Sequence, residues 1–143
     1  MSRVAAAPQR WSRRRLRRAA AAILAEGLQA ADPARLVRRN LVLRGGKLEA
    51  GGTVHRLGRG RLVLVAAGKA AATMARAAED VLGDHLSAGL AVDTSPAVGL
   101  TRVGLRVAGH PVPDERGLAA ASELETLVRG LGRDDLLLSL IHI

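Results

Sequence analysis

The 143-residue chain has no cysteine, no phenylalanine and no tyrosine, and its one aromatic side chain among Phe, Trp and Tyr is Trp11. Without cysteine there is no disulfide, no thiol nucleophile and no cysteine zinc site. Without aromatic rings the core has to be built from Leu, Val, Ile and Ala. The four histidines, His55, His85, His110 and His142, are scattered without helical ligand spacing, so no metal site is expected from this chain. No apolar run reaches the roughly 18–20 residues of a membrane span. Together these absences predict a soluble, cytoplasmic protein with no membrane partner. Acidic residues are scarce at the start: residues 1–60 carry 14 Lys or Arg against 3 Asp or Glu, whereas residues 61–143 carry 8 against 10. The net charge of +9 therefore belongs to the first segment.

What is present fits one domain with a sizeable core. The chain is 48% hydrophobic. "PQRWSRRRLRRAAAAILAEGLQAAD" (Pro8 to Asp32) reads as a helix in which Leu16, Ala20, Ile23, Leu24 and Leu28 recur at helical spacing. Asp32-Pro33 restarts the helix, with Asp as N-cap and Pro at the first helical position. Glycine-punctuated "RGGKLEAGGTVHRLGRG" reads as loop and short β-ribbon. From Arg61 the pattern changes. "RLVLVAA", "AGLAVD", "RVGLRVAG" and "DDLLLSLI" read as strands. "KAAATMARAAEDVLGD" and "PDERGLAAASELETLVRGLG" read as helices, the second with Leu118, Ala121, Leu124, Val128 and Leu131 on one face and Asp114 as N-cap. The alternation predicts an α/β fold, a Rossmann-like parallel sheet with helices on both faces, preceded by a helical segment.

Two junctions stand out. At Gly68-Lys69 a strand hands over to a helix. Ligands of open α/β sheets bind beyond the carboxyl ends of strands, and the unpaired N–H groups of a first helical turn suit an anion. Glycine lets the backbone approach a ligand, and lysine adds a mobile positive charge. The bland alternative is a solvated turn lysine. This is not a P-loop, since G-x-x-x-x-G-K-[ST] is absent. "AGHPVPDERG" (Ala108 to Gly117) joins the third strand to the next helix, and its two prolines make a stiff loop that can fix His110. Here Asp114 reads first as a helix cap, and His110 either as a site residue or as a hydrogen-bonded loop residue. The arginine cluster Arg13, Arg14, Arg15, Arg17 and Arg18 reads as a solvated helix face. A nucleic-acid contact is the alternative, but no pattern of a known binding module accompanies it. The arginine-rich, acid-poor start also has the look of a transit peptide.

At these two loops the chain resembles the N-terminal domain of glycerate 2-kinases, the family whose C-terminal portion is called the MOFRL domain. The likeness runs from about Arg13 to Ile141 and is carried by "AADPARLVRRNL", "GGKLEAGG", "LVAAGKAAATMARAAE", "AGHPVPDERGLAAA" and "LVRGLGRDDLLLSLI", in that order and spacing. The resemblance implies two α/β domains with an active site in the cleft between them. It implies ATP, with Mg²⁺, phosphorylating D-glycerate at the 2-hydroxyl to give 2-phosphoglycerate. It makes Lys69 the catalytic lysine, holding the glycerate carboxylate or the transferring phosphoryl group. Gly68, His110 and Asp114 become substrate-binding or cleft-shaping residues. Members of the family also carry the label hydroxypyruvate reductase. An NAD(P)H-dependent reductase is therefore the alternative enzyme, although "AAGKAA" stands where G-x-G-x-x-G would be required. A small basic nucleic-acid-binding module is the alternative outside enzymology.

Two departures accompany the likeness. "DTSPAVGL" replaces the usual segment after the second strand. Where the family continues into a Ser-Gly-Gly-Gly-Ser loop, the chain reads "HI" and stops. The expectation is a truncated N-terminal domain over residues 1–143, with residues 142–143 non-native and with little activity as this chain alone.

Overall fold

The structure, a computed structural model, describes residues 11–97 and 99–141. It divides into two units at Asp32 and Pro33. In the first, helix α1 (Arg13–Ala30) is capped by Ser12, whose hydroxyl accepts from the Arg15 N–H at 3.3 Å. The expected start at Pro8 lies outside the described residues. The Arg15 guanidinium sits 4.7 Å over the Trp11 ring, a cation–π contact. α1 buries no residue: Leu16, Ile23, Leu24 and Leu28 of its apolar stripe are all more than half exposed.

The second unit begins with α2 (Pro33–Asn40), with Pro33 at its first position as expected. A three-stranded antiparallel ribbon follows: β1 (Leu41–Arg44), β2 (Lys47–Ala50) and β3 (Thr53–Arg56). Its two-residue turns are Gly45-Gly46 and Gly51-Gly52, the sequence that tight hairpins favour. The region read as loop and ribbon is thus a regular meander.

The remaining strands, β4 (Leu62–Ala67), β5 (Leu86–Asp93), β6 (Val103–Val107) and β7 (Leu136–Ile141), form one parallel sheet in the order β6-β5-β4-β7. Helices α3 (Ala71–Leu82) and α4 (Glu115–Arg129) supply the crossovers after β4 and β6. From β4 the chain steps to β5 and β6 in one direction, then returns past β4 to β7. Right-handed connections in both directions place α3 and α4 on opposite faces. Burial agrees with this. Leu62, Leu64 and Ala66 of β4 join α3 in the main core, while Val63 and Leu90 point the other way, to the side where α4 contributes buried Ala120. With no aromatic side chain to fill space, α3 meets the sheet through alanines: Ala71, Ala75, Ala77 and Ala78 are fully buried.

The rotation of α4 differs from the expected one. Leu118 is 75% exposed and Val128 40% exposed, while Ala120 is buried and Leu124, Leu127 and Leu131 are half-buried. Two overlapping apolar sets run along this helix, about 100° apart. The observed rotation goes with an Arg106–Glu123 pair from β6 to α4 at 2.6 and 2.8 Å and with the Asp114 cap on the first turn.

Glu79, in the middle of α3, is 7% exposed. Its carboxylate accepts from the N–H groups of Thr101 at 3.1 Å, Arg102 at 2.7 Å and Val103 at 2.8 Å. This clamps the start of β6 to the helix. Glu79→Ala would leave the buried Val103 N–H and the part-buried Thr101 and Arg102 bonds unmade and is expected to cost about 3 kcal/mol in urea unfolding, since an orphaned buried donor costs on the order of 1–3 kcal/mol. A cost below about 0.5 kcal/mol, the ordinary surface value, would contradict the clamp.

Candidate functional site

β4 is flanked by β5 on one side and β7 on the other, and Ala67 at its end pairs with Val92 and Ile141. The chain order reverses across the β4–β7 pair. Its carboxyl end is therefore the topological switch point, where doubly wound sheets open a crevice for a ligand. Gly68 and Lys69 leave β4 at this point.

Gly68 has φ +110°, a conformation that costs an L side chain dearly and glycine almost nothing. Its N–H donates to the Val92 carbonyl at 3.1 Å, and its own carbonyl accepts from the Ala71 N–H at 3.0 Å. The strap is thus anchored at both ends, and Lys69 is exposed at its apex. Among the described residues Lys69 makes no ion pair, and the N–H groups of Lys69 and Ala70 have no protein acceptor. Two consecutive free N–H groups beside a lysine make a concavity suited to an anion.

The α3 terminus itself is arranged differently from the sequence expectation. Ala70 is its N-cap and offers no side-chain acceptor. The cap comes from 21 residues away: Asp93, 5% exposed at the end of β5, accepts from the Ala72 N–H at 2.9 Å. Its other oxygen accepts from Thr94 N–H at 2.6 Å and Ser95 N–H at 3.2 Å. An internal carboxylate therefore meets part of the helix dipole. What remains for a ligand is the strap of residues 68–70.

The second loop leaves β6 at the same edge, two strand spacings or roughly 10 Å from β4. Asp114 caps α4, accepting from the Gly109 and Gly117 N–H groups at 3.0 Å each and from Arg116 at 2.6 Å. A Cβ on Gly109 would lie 2.8 Å from the Asp114 carboxyl carbon and the Val112 carbonyl oxygen, so only glycine closes this loop. His110 is exposed at the tip, beside a cis peptide bond to Pro111, with no hydrogen-bond partner among the described residues. The topology thus brings Gly68, Lys69, His110 and Asp114 to one sheet edge. It shows the capping role of Asp114 directly, and it gives no contact between His110 and Lys69. Asp93 was missed by the sequence reading. The available signal was an acidic residue closing a strand opposite a helix whose own N-cap is alanine.

The strap and Lys69 suit phosphate or carboxylate oxygens. Among the described residues no three His, Asp or Glu side chains come together.

Comparison with known proteins bears on the same residues. Residues 19–142 match the family model described as a domain of unknown function, DUF4147. The chain belongs to that family. A Pyrococcus horikoshii protein named glycerate 2-kinase is 34% identical over 121 residues, 83% of this chain and 27% of the relative. An Agrobacterium vitis protein named as a hydroxypyruvate reductase is 44% identical over 84 residues, 58% of this chain and 19% of the relative. The crystal structure of Thermotoga maritima glycerate kinase superposes with a TM-score of 0.66 at 30% identity, covering 87% of this chain and 27% of that one. A Pyrococcus horikoshii structure gives 0.76 at 30% identity, covering 87% and 28%. The chain thus spans about a quarter of the length of these glycerate kinase relatives. The solved structures share the parallel α/β architecture.

The Asp114 carboxyl is held at about 2, below its ordinary 3.8, by the Gly109 N–H first, then by Arg116 and the Gly117 N–H. A depressed carboxylate contributes stability that is present above its unfolded value and is lost as pH falls through the folded one. Asp114→Ala should therefore lower the thermal midpoint at pH 7, and the gap to wild type should close as pH drops from about 4 to 2. A gap that is the same at pH 7 and pH 2 would contradict the cap.

Proposed function

We propose that this chain is the N-terminal part of a glycerate 2-kinase. Such an enzyme transfers the γ-phosphoryl group of ATP to the 2-hydroxyl of D-glycerate and leaves ADP and 2-phosphoglycerate. The observation that carries the reading is Lys69, placed on a positive-φ glycine at the switch point of a sheet shared with a solved glycerate kinase. Phosphoryl transfer demands positioning and charge stabilisation more than covalent chemistry. Lys69, with the free N–H groups of residues 69 and 70, supplies both to one anionic group, either the glycerate carboxylate or the transferring phosphoryl. His110 lines the same edge and meets the substrate from the neighbouring loop, which Asp114 holds in shape. ATP would bring Mg²⁺, which would neutralise charge on the phosphoryl oxygens beside Lys69. On this reading the chain is part of the first domain, and the cleft is completed by the rest of the longer protein, in the cytoplasm.

The reductase reading has the Agrobacterium relative's name in its favour. Against it stand the missing G-x-G-x-x-G and the Asp93 carboxylate on the helix terminus where a dinucleotide pyrophosphate would dock.

A protein continued to the length of its relatives should form 2-phosphoglycerate from ATP, Mg²⁺ and D-glycerate, and should not oxidise NADH or NADPH with hydroxypyruvate. In that protein Lys69→Ala should reduce kcat/KM by about 100-fold or more, the scale of losing one charge-stabilising donor. Its melting temperature should hold, because Lys69 is exposed and unpaired among the described residues. Full kinase turnover in the variant would remove Lys69 from the site. Hydride transfer without kinase activity would replace the kinase reading with the reductase.

A further inference from the structure

We infer that Asp93 is a positioning residue for Lys69, an inference that rests on the kinase reading for its consequence in catalysis. The geometry is a three-way junction at the carboxyl edge of the sheet. Through Oδ2, Asp93 holds the Ala72 N–H of α3 at 2.9 Å. Through Oδ1 it holds the Thr94 and Ser95 N–H groups at 2.6 and 3.2 Å. Through its own carbonyl it accepts from the Ala108 N–H at 2.9 Å, where the His110 loop begins.

Asp93 adds to the backbone anchors of the lysine-bearing strap the one side-chain bond to the first turn of α3 among the described residues. Lys69 and Ala70 make no side-chain hydrogen bond among the described residues, and Ala70 as N-cap has no side-chain acceptor for the first-turn N–H groups. The backbone holds the strap through the two Gly68 bonds and through the Ala70 carbonyl, which accepts from the Met74 N–H at 2.9 Å, and Asp93 adds the side-chain bond just beyond its end. A buried carboxylate accepting three N–H groups with both oxygens is fully satisfied, and no neutral side chain reproduces it. Asparagine can accept on one oxygen only, and its NH₂ would then face the donor or donors on the other side. Asp93→Asn therefore releases either α3 or the 94–95 turn while keeping volume and shape.

The first test is amide NMR on the ¹⁵N-labelled chain. In wild type the Ala72 amide should exchange slowly and the Lys69 amide should show the heteronuclear NOE of rigid backbone. In Asp93→Asn, exchange at Ala72 or at Thr94 and Ser95 should rise about tenfold or more and the Lys69 NOE should fall, with β4 amides such as Leu64 and Ala66 keeping their protection. A general loss of stability would speed all of them together. A Lys69 amide as rigid in the variant as in wild type overturns the inference. If the variant does not fold, the wild-type spectrum decides: fast exchange at Ala72 or a mobile Lys69 overturns it, and slow exchange with a rigid Lys69 upholds it. The second test uses the longer protein with ATP, Mg²⁺ and D-glycerate. Asp93→Asn should lower kcat about tenfold or more with KM for glycerate little changed, the mark of a misplaced group rather than a lost binding contact. Absence of kinase activity in the wild-type long protein would sink the proposed function, while the amide NMR would still decide whether Asp93 holds the strap.

Discussion

The pairing of β4 between β5 and β7 is the constraint from which the rest of this molecule follows. Leu62, Val63 and Leu64 are almost fully buried on both faces of that one strand, so it can only sit at the centre of a sheet covered by helices on each side. Once β4 is central and its neighbours lie to either side, the chain must reverse direction across it. The reversal creates a crevice at its carboxyl end. Gly68 and Lys69 are the first residues after that end. Their position is thus a consequence of sheet order, and no local helix or loop preference would have put them there.

Two buried carboxylates turn that sheet into a defined edge. Glu79 fixes β6 to α3, and Asp93 fixes α3 to β5 and the turn that follows it. Both act by accepting several backbone N–H groups at once, and both join segments more than 20 residues apart. Charge-assisted bonds of this kind are roughly twice as strong as neutral ones. They matter more than the surface pairs such as Arg38–Asp80 and Arg129–Glu125, which are exposed on both sides and contribute little each. Alanine, which dominates the buried face of α3, packs closely but directs nothing. The polar clamps set the register of helix against strand.

The fold was legible where one physical signal dominated. Apolar runs gave all four parallel strands, and Pro33 and the paired glycines marked a helix start and the turns of the ribbon. Lys69, His110 and Asp114 could be found because glycine, proline and charge punctuate the strand-to-helix junctions that carry them. The rotation of α4 could not be read. Leu118 and Val128 are as apolar as the residues that turned inward, so the local pattern held two equivalent faces. Asp93 was hidden for a related reason. Its partner Ala72 belongs to another element, and nothing local marks a carboxylate that caps a helix 21 residues earlier. The expectation that the α3 terminus would receive a ligand's anion changed accordingly, because the protein places a carboxylate of its own at part of that terminus.

On the kinase reading proposed above, Lys69 is the residue that meets the anionic reactant. The most direct measurement is a crystal structure of the relative-length protein with D-glycerate and a non-hydrolysable ATP analogue. A carboxylate or phosphate oxygen is expected about 3 Å from the Lys69 Nζ, with the N–H groups of residues 69 and 70 turned to the same ligand. A ligand bound in the cleft with Lys69 left in solvent would contradict this role for the lysine.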